Sequence, residues 1–206
     1  IGWGFSTPLE LACHYENLEL VKLLLDHGAN LNHGYKCRQG PLTVVCQKGQ
    51  LALAQLLLEH GANPNACVND GLTPLIRAAR AGNLNLVQLL LQPRNNTKTK
   101  SNDESFHENQ WGTNVYHYDQ QSMNALMHAC AENKEDVVRF LASGGILDNN
   151  NQNNKSRIVH YVNDYKVDPA LWYAGAHGST GIVKFLMDDC GAIASYRKNP
   201  TVYSTT

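Results

Sequence analysis

The fold class this sequence predicts is all-α: a solenoid of stacked helix-turn-helix units joined by β-hairpin-like loops, two of them elongated. Three observations predict it. Prolines stand at 8, 41 and 74, each 33 residues after the last. The segment LLLDHGAN at 23–30 returns as LLLEHGAN at 56–63, again after 33. Between these markers apolar residues recur at helical spacing in short runs punctuated by glycine. The period then resumes with MNALMHA at 123–129 and DPALWYA at 168–174. Leu126 lies 51 residues after Leu75, one period plus 18, and Leu171 lies 45 after Leu126, one period plus 12. Five units result, at about 2–34, 35–67, 68–92, 121–148 and 166–198, with insertions at about 93–120 and 149–165.

Each unit reads as two short helices. In the first, Thr7 is the N-cap, Pro8 takes the first helical position and Glu10 completes a Thr-x-x-Glu capping box. Leu9 and Ala12 face inward. A turn follows, with Gly49, Gly82, Asn133 and Gly178 at matching positions, residue types that accept a left-handed backbone. Glu16 holds that place in the first unit and fits it less well. The second helices are LELVKLLL (18–25), LALAQLLL (51–58), LNLVQLLL (84–91), EDVVRFL (135–141) and GIVKFLM (181–187). Gly28, Gly61, Gly144 and Gly191 terminate four of them. In the third unit QPRNN stands where the others have Gly-Ala, so that ending reads as missing.

Thr-Pro-Leu-x-x-Ala, a glycine turn, Val-x-x-Leu-Leu and then Gly-Ala-Asn, at a period of 33, resembles the ankyrin repeat. The resemblance covers nearly all of residues 1–200 outside the insertions. It departs from the family at the histidine usual after Thr-Pro-Leu, where Glu10, Thr43, Ile76, Met127 and Trp172 stand. The resemblance implies a stacked array that recognises proteins through its concave face and hairpins. It also implies hydroxylation candidates at the hairpin asparagines Asn32 and Asn65, although the acidic residue usual two positions earlier is Asn30 or Asn63. Neither end looks sealed by a polar terminal repeat, and the chain starts at Ile1. An excerpt of a longer array or larger protein is therefore expected.

Composition narrows the function classes. The formal net charge is −1, giving no global pull toward nucleic acid or an anionic membrane. No run of about 18 apolar residues is present, and no signal peptide is recognisable. Six cysteines, at 13, 37, 46, 67, 130 and 190, include no Cys-x-x-Cys pair, which points to a reducing compartment, cytoplasmic or nuclear. Two glycosylation triplets, NNT and NKS, matter only in a secreted protein. Cys13, Cys46 and Cys130 share one repeat position with Ala79 and Gly175, a place that wants a small residue. Stacked helices lie about 8–10 Å apart, too far for the Cα separation of about 4.4–6.8 Å that a disulfide needs. These cysteines are read as packing.

No metal, cofactor or catalytic pattern is expected. His128 and Cys130, at i and i+2, do not share a helix face, and no spacing matches zinc. No phosphate loop, Gly-x-Ser-x-Gly or His-Glu-x-x-His occurs. His27 and His60 sit at helix C-termini, where the dipole favours a cation. The basic PRNNTKTK at 93–100 lacks the aromatic interleaving of a nucleic-acid surface.

The aromatic-rich WGTNVYHYDQQ at 111–121 is read as the returning arm or tip of the first insertion, with VYHY at 115–118 as a short strand. Aromatics there either cover the array's side or contact a partner. The second insertion ends in the alternating IVHYVNDYKV, a further hairpin arm. The expected partner-binding residues are Trp111, Tyr116, His117 and Tyr118 with Tyr15, His14, Arg38, Lys48, Arg80, Tyr165, Lys166, Trp172 and Tyr173. The expected function is a non-catalytic, monomeric scaffold binding a protein partner, with neither nucleic acid nor membrane as partner. The alternative is a targeting segment of a larger enzyme such as a kinase, a ubiquitin ligase or a microbial effector.

Overall fold

The computed structural model describes residues 7–32, 40–67, 70–92, 112–143 and 167–192, which belong to two compact units, Ile1–Ala125 and Leu126–Thr206. The first holds three antiparallel helix pairs: α1 (Pro8–His14) with α2 (Leu18–Asp26), α3 (Pro41–Lys48) with α4 (Leu51–Glu59), and α5 (Pro74–Ala81) with α6 (Leu84–Leu90). Helix α7 (Ala125–Ala131) begins at its edge. The second unit continues with α8 (Glu135–Ala142), α9 (Val167–Ala176) and α10 (Thr180–Asp188). No strand occurs among the described residues. Among the described residues the ten helices follow one another as five consecutive pairs.

Local chemistry sets where each helix starts and stops. Thr7 Oγ1 accepts from the Glu10 backbone N–H at 3.1 Å while Glu10 Oε2 accepts from the Thr7 N–H at 3.0 Å, a complete capping box. Thr73 caps α5 in the same way through the Ile76 N–H. Proline at the first helical turn of α1, α3 and α5 costs nothing, because its missing N–H would have had no helical partner. Asn17 and Asn83 cap α2 and α6 through the N–H groups of Leu20 and Leu86. At the other end of the outer helices, Nδ1 of His27 and of His60 lies 2.8 Å from the carbonyl oxygen of Leu23 and Leu56 and donates to it. Each imidazole thereby satisfies one of the last carbonyls of its helix.

The turn between paired helices requires a left-handed residue in every unit. Gly49, Gly82 and Gly178 have φ of 82°, 78° and 70°, and Glu16 and Asn133 adopt 60° and 54° at the same position. Asparagine reaches this region with little strain; glutamate does not.

In the first unit the core lies between the helices of each pair and between successive pairs. Ala12, Cys13, Val45, Cys46, Ala78 and Ala79 line the inner helices, and Val21, Ala54, Leu57, Val87 and Leu90 the outer ones, all buried. The small residues at Cys13, Cys46 and Ala79 let α1, α3 and α5 approach side by side. In the second unit α8 and α10 are joined at the surface. There Arg139 donates to Glu135 Oε1 from Nε and Nη2 at 3.0 and 2.7 Å, and its guanidinium lies 4.6 Å from the centre of the Phe185 ring.

Two expectations are corrected. The third unit does not lack its ending: Gly112-Thr113-Asn114 stands 51 residues after Gly61-Ala62-Asn63 and takes its place. Thr113 is buried like Ala62, and its Oγ1 donates to the Leu90 carbonyl at 2.8 Å, tying the segment to the end of α6. Residues 112–124 are therefore the ordinary loop of that unit, and the extra residues fall between Gln92 and Gly112. The VYHY stretch is also not a strand. Val115 and Tyr116 form a turn, because the Asn114 side chain accepts from the Tyr116 N–H at 2.9 Å. The proposed arm at 158–166, Gly144 and the Asn-rich insertion lie outside the described residues.

Replacing Glu16 by glycine is expected to stabilise the protein by about 0.5–1 kcal/mol. Relief of a left-handed penalty of about 1–2 kcal/mol outweighs the extra chain entropy of glycine. Urea unfolding checks this, and Asn133→Gly should gain less.

Candidate functional site

The loops that follow the outer helices are locked by a ladder of asparagines. Asn32 Nδ2 donates to the Gly61 carbonyl at 3.2 Å, and Asn32 Oδ1 accepts from the Asn63 N–H at 2.8 Å. One unit later Asn65 Nδ2 donates to the Gly112 carbonyl at 2.8 Å, and its Oδ1 accepts from the Asn114 N–H at 2.7 Å. Each rung is held from below, since Asn30 and Asn63 accept from the N–H of Asn32 and Asn65, both at 2.9 Å. A side-chain amide with one donor and one acceptor end thus bridges two loops at once. Tyr116 occupies the third ladder position, where a phenol replaces the side-chain amide.

The loop at 112–124 is further seated on the one before it. The Gln120 N–H donates to the Asp70 carbonyl at 3.2 Å, and His117 Nε2 lies 2.8 Å from the Gly71 carbonyl and donates to it. Gly71 has φ of 74°, and a Cβ there would come within 2.8 Å of Asp119 Cα. Asp119 is buried, and its Oδ1 accepts from the N–H groups of Gln121 and Met123, both at 2.9 Å. In the preceding loop Asp70 Oδ1 accepts from the Leu72 N–H and Oδ2 pairs with Arg77 Nη2 at 2.6 Å. Arg77 Nη1 reaches Gln47 Oε1 at 3.2 Å, and Thr43 Oγ1 donates to the Ala66 carbonyl at 3.4 Å. Helix and loop are therefore bonded in the second repeat without the histidine usual after Thr-Pro-Leu.

Against this fixed frame, the residues after the inner helices vary. In the first unit of the fold that column holds Tyr15, Lys48 and Ala81; in the second it holds Glu132 and His177. All five are exposed, Tyr15 by 64%. The His14 and Tyr15 rings meet edge to face at 5.2 Å, as do Trp172 and Tyr173 at 5.0 Å. His14, Lys48, Arg80 and Trp172 are exposed too, and Tyr173 is half-buried. Lys48 also does structural work, because its ammonium donates to the His14 carbonyl at the end of α1. Tyr116, His117 and Tyr118 are half-buried in the 112–124 loop, and burial raises the Tyr116 phenol above its usual pKa. Trp111, Arg38, Tyr165 and Lys166 lie outside the described residues.

The buried thiols are chemically quiet. Burial pushes Cys13 and Cys130 up to about 12, with Glu10 adding to the first and Cys190 to the second, and it raises Cys46 as well. All three are free, whereas Cys67 is exposed. Among the described residues no group of three or more His, Cys, Asp or Glu side chains is placed to hold a metal ion, and no helix is long and apolar enough to cross a membrane.

A family model described as ankyrin repeats, in three copies, matches residues 9–103 and again 102–199. The chain is an ankyrin-repeat protein. No curated protein shows significant similarity to it. Ankyrin arrays generally mediate protein–protein interaction and are typically non-catalytic. The stacked pairs and bridged hairpins are the frame on which an ankyrin protein carries its variable residues. Asn63, Asn114 and Thr113, which lock the hairpins, were missed as such. The recurrence of Gly-x-Asn at 61–63 and 112–114 was the signal that could have found them.

Two outcomes are expected. Asn65→Ala removes both bridging bonds at about 0.5–1.5 kcal/mol each, so unfolding stability should fall by roughly 1–3 kcal/mol. Asn65→Asp should be no better, because it keeps the acceptor but turns a carboxylate toward the Gly112 carbonyl. In native protein near pH 8, a thiol reagent should label Cys67 and leave Cys13, Cys46 and Cys130 unlabelled until the chain is unfolded. The neutral thiol is the form burial favours, and the thiolate is the reactive one.

Proposed function

We propose that this ankyrin array is a non-catalytic scaffold that docks a protein partner on the exposed side of its inner helices and on the adjoining hairpins. The observation that carries this reading is the contrast between two neighbouring columns. Cys13, Cys46, Ala79, Cys130 and Gly175 are uniformly small, whereas Tyr15, Lys48, Ala81, Glu132 and His177, two positions on, share no chemistry and are all exposed. Packing explains the buried members of the first column, Cys13, Cys46, Ala79 and Cys130, and places no demand on the second.

Recognition would need no rearrangement of the frame. Hairpins bridged by Asn32 and Asn65 and helices locked by caps present the variable residues already ordered, which lowers the entropic cost of binding. Tyr15 and Trp172 are the natural anchors, since exposed aromatics offer a large contact area at low side-chain entropy. The half-buried Tyr116 and Tyr118 contribute edges from the third hairpin. A near-neutral surface of mixed sign fits a protein partner better than nucleic acid.

The test begins with enrichment from lysate and mass spectrometry, comparing the chain with a Tyr15→Ala, Arg80→Ala, Trp172→Ala variant. The partner so identified is then titrated against both. The variant should bind at least about tenfold more weakly, a loss of about 1.4 kcal/mol or more, with an unchanged melting temperature. Equal affinities would show that the inner-helix side is not the docking face.

A further inference from the structure

Charge is sorted by helix in the first unit of the fold. Its inner helices α1, α3 and α5 carry Lys48, Arg77 and Arg80 against Glu10 alone. Its outer helices α2, α4 and α6 carry Glu19, Asp26 and Glu59, all exposed, against Lys22 alone. On the inner helices Glu10 is buried, with its carboxylate engaged in the capping box. The Arg77 side chain is only 10% exposed and is matched by Asp70 at 2.6 Å. Exposed formal charge on the inner helices is therefore that of Lys48 and Arg80, both positive. The helix dipole does not account for this sorting. It favours a cation at the end of every helix alike, and α1, α3 and α5 do have His14, Lys48 and Arg80 in their last turns. Yet α2 and α4 end in Asp26 and Glu59, and the last turns of α2, α4 and α6 hold no base.

The three inner helices lie side by side, so their ends form one row. His14 and Tyr15 stand at one end of it, Lys48 in the middle and Arg80 at the other end. Lys48 gives one N–H to the His14 carbonyl, and an ammonium has three to give. Tyr15 is the large apolar side chain of the row. Beside it Glu16 is exposed in the turn that leads to α2. The row spans two interhelix spacings, about 16–20 Å. An extended chain covers that distance in about five or six residues.

We propose that the partner of this face presents a short acidic protein segment, with Asp or Glu carboxylates on Lys48 and Arg80 and an apolar side chain against Tyr15. This rests on the docking face argued above and adds the chemistry of what it takes. Charge complementarity carries the choice. Carboxylates meeting the two positive charges speed encounter, and a basic segment laid on the same row is repelled. A guanidinium and a carboxylate also match in shape, two N–H groups to two oxygens. A nucleic acid is less suited, because the row offers two formal charges to a polyanion and the outer helices of the same unit are net acidic.

The test pans a random dodecapeptide library on the 206-residue chain and titrates the enriched peptides, once synthesised, by fluorescence anisotropy. Asp and Glu should be enriched among them. Lys48→Gln with Arg80→Gln removes both charges and keeps hydrogen-bond donors. It should weaken binding at least about tenfold at an unchanged melting temperature. Arg80→Glu alone replaces it if the double variant melts early, with a loss in the same direction. Raising NaCl from about 0.05 to about 0.5 M should weaken the wild type by a similar factor and barely move the double variant. Peptides with no acidic excess, or acidic peptides that bind wild type and variants alike, overturn the proposal. If such peptides still lose affinity with Tyr15→Ala, the docking face stands and only its acidic preference fails. If Tyr15→Ala has no effect either, the docking face fails with it. An empty selection, or an oligothymidylate that binds as tightly as the peptides, overturns the proposal as well.

Discussion

A single helix pair of this chain cannot cover its own apolar face, and every other feature answers to that constraint. Val21, Leu57 and Leu90 are buried because each pair lies against another, so cohesion is shared along the array instead of concentrated in one centre. The narrow tolerance of the Cys13, Cys46 and Ala79 position follows. A larger side chain there would separate two inner helices and loosen the apolar contacts of both pairs.

Polar bonding sharpens this nonspecific cohesion. The apolar faces alone would permit neighbouring pairs to slide or tilt, whereas the Asn32 and Asn65 bridges accept only one offset between consecutive hairpins. Each bridge uses both ends of one amide, so no donor or acceptor is left stranded. Caps at Thr7, Thr73, Asn17 and Asn83 act in the same way on the helices. For the proposed docking, the consequence is a surface already ordered, its variable side chains set on elements that do not need to move.

The hairpin at 112–124 shows how an insertion is tolerated. The extra residues enter after Gln92, where the outer helix has already made its contacts. The chain then returns to the register of the earlier loops at Gly112, with Thr113 bonded to Leu90 and Asn114 to Asn65. His117 and Asp119 give this hairpin contacts of its own with the Gly71 turn. At the third ladder position Tyr116 replaces the asparagine. Packing thus partly accounts for Tyr116, His117 and Tyr118, which are half-buried in this hairpin.

Much of the fold was legible because repetition multiplies weak local signals. Pro8, Pro41 and Pro74, the glycine turns and the apolar spacing each have a near-neighbour physical cause, and their recurrence put five helix pairs in order. The capping box at Thr7 and the awkward fit of Glu16 were readable for the same reason, since both depend on a few adjacent residues. The register of 112–124 was not settled by sequence, because it depends on bonds to Leu90, Asn65 and Gly71, which are 23 to 49 residues away in the chain. The division of labour at Lys48, an exposed residue that also caps α1, could not be read for the same reason. Sequence by itself determined which residues are helical, small or apolar, because those properties are local. Only the tertiary structure decided which faces are covered and which are left open, because burial is a property of neighbours.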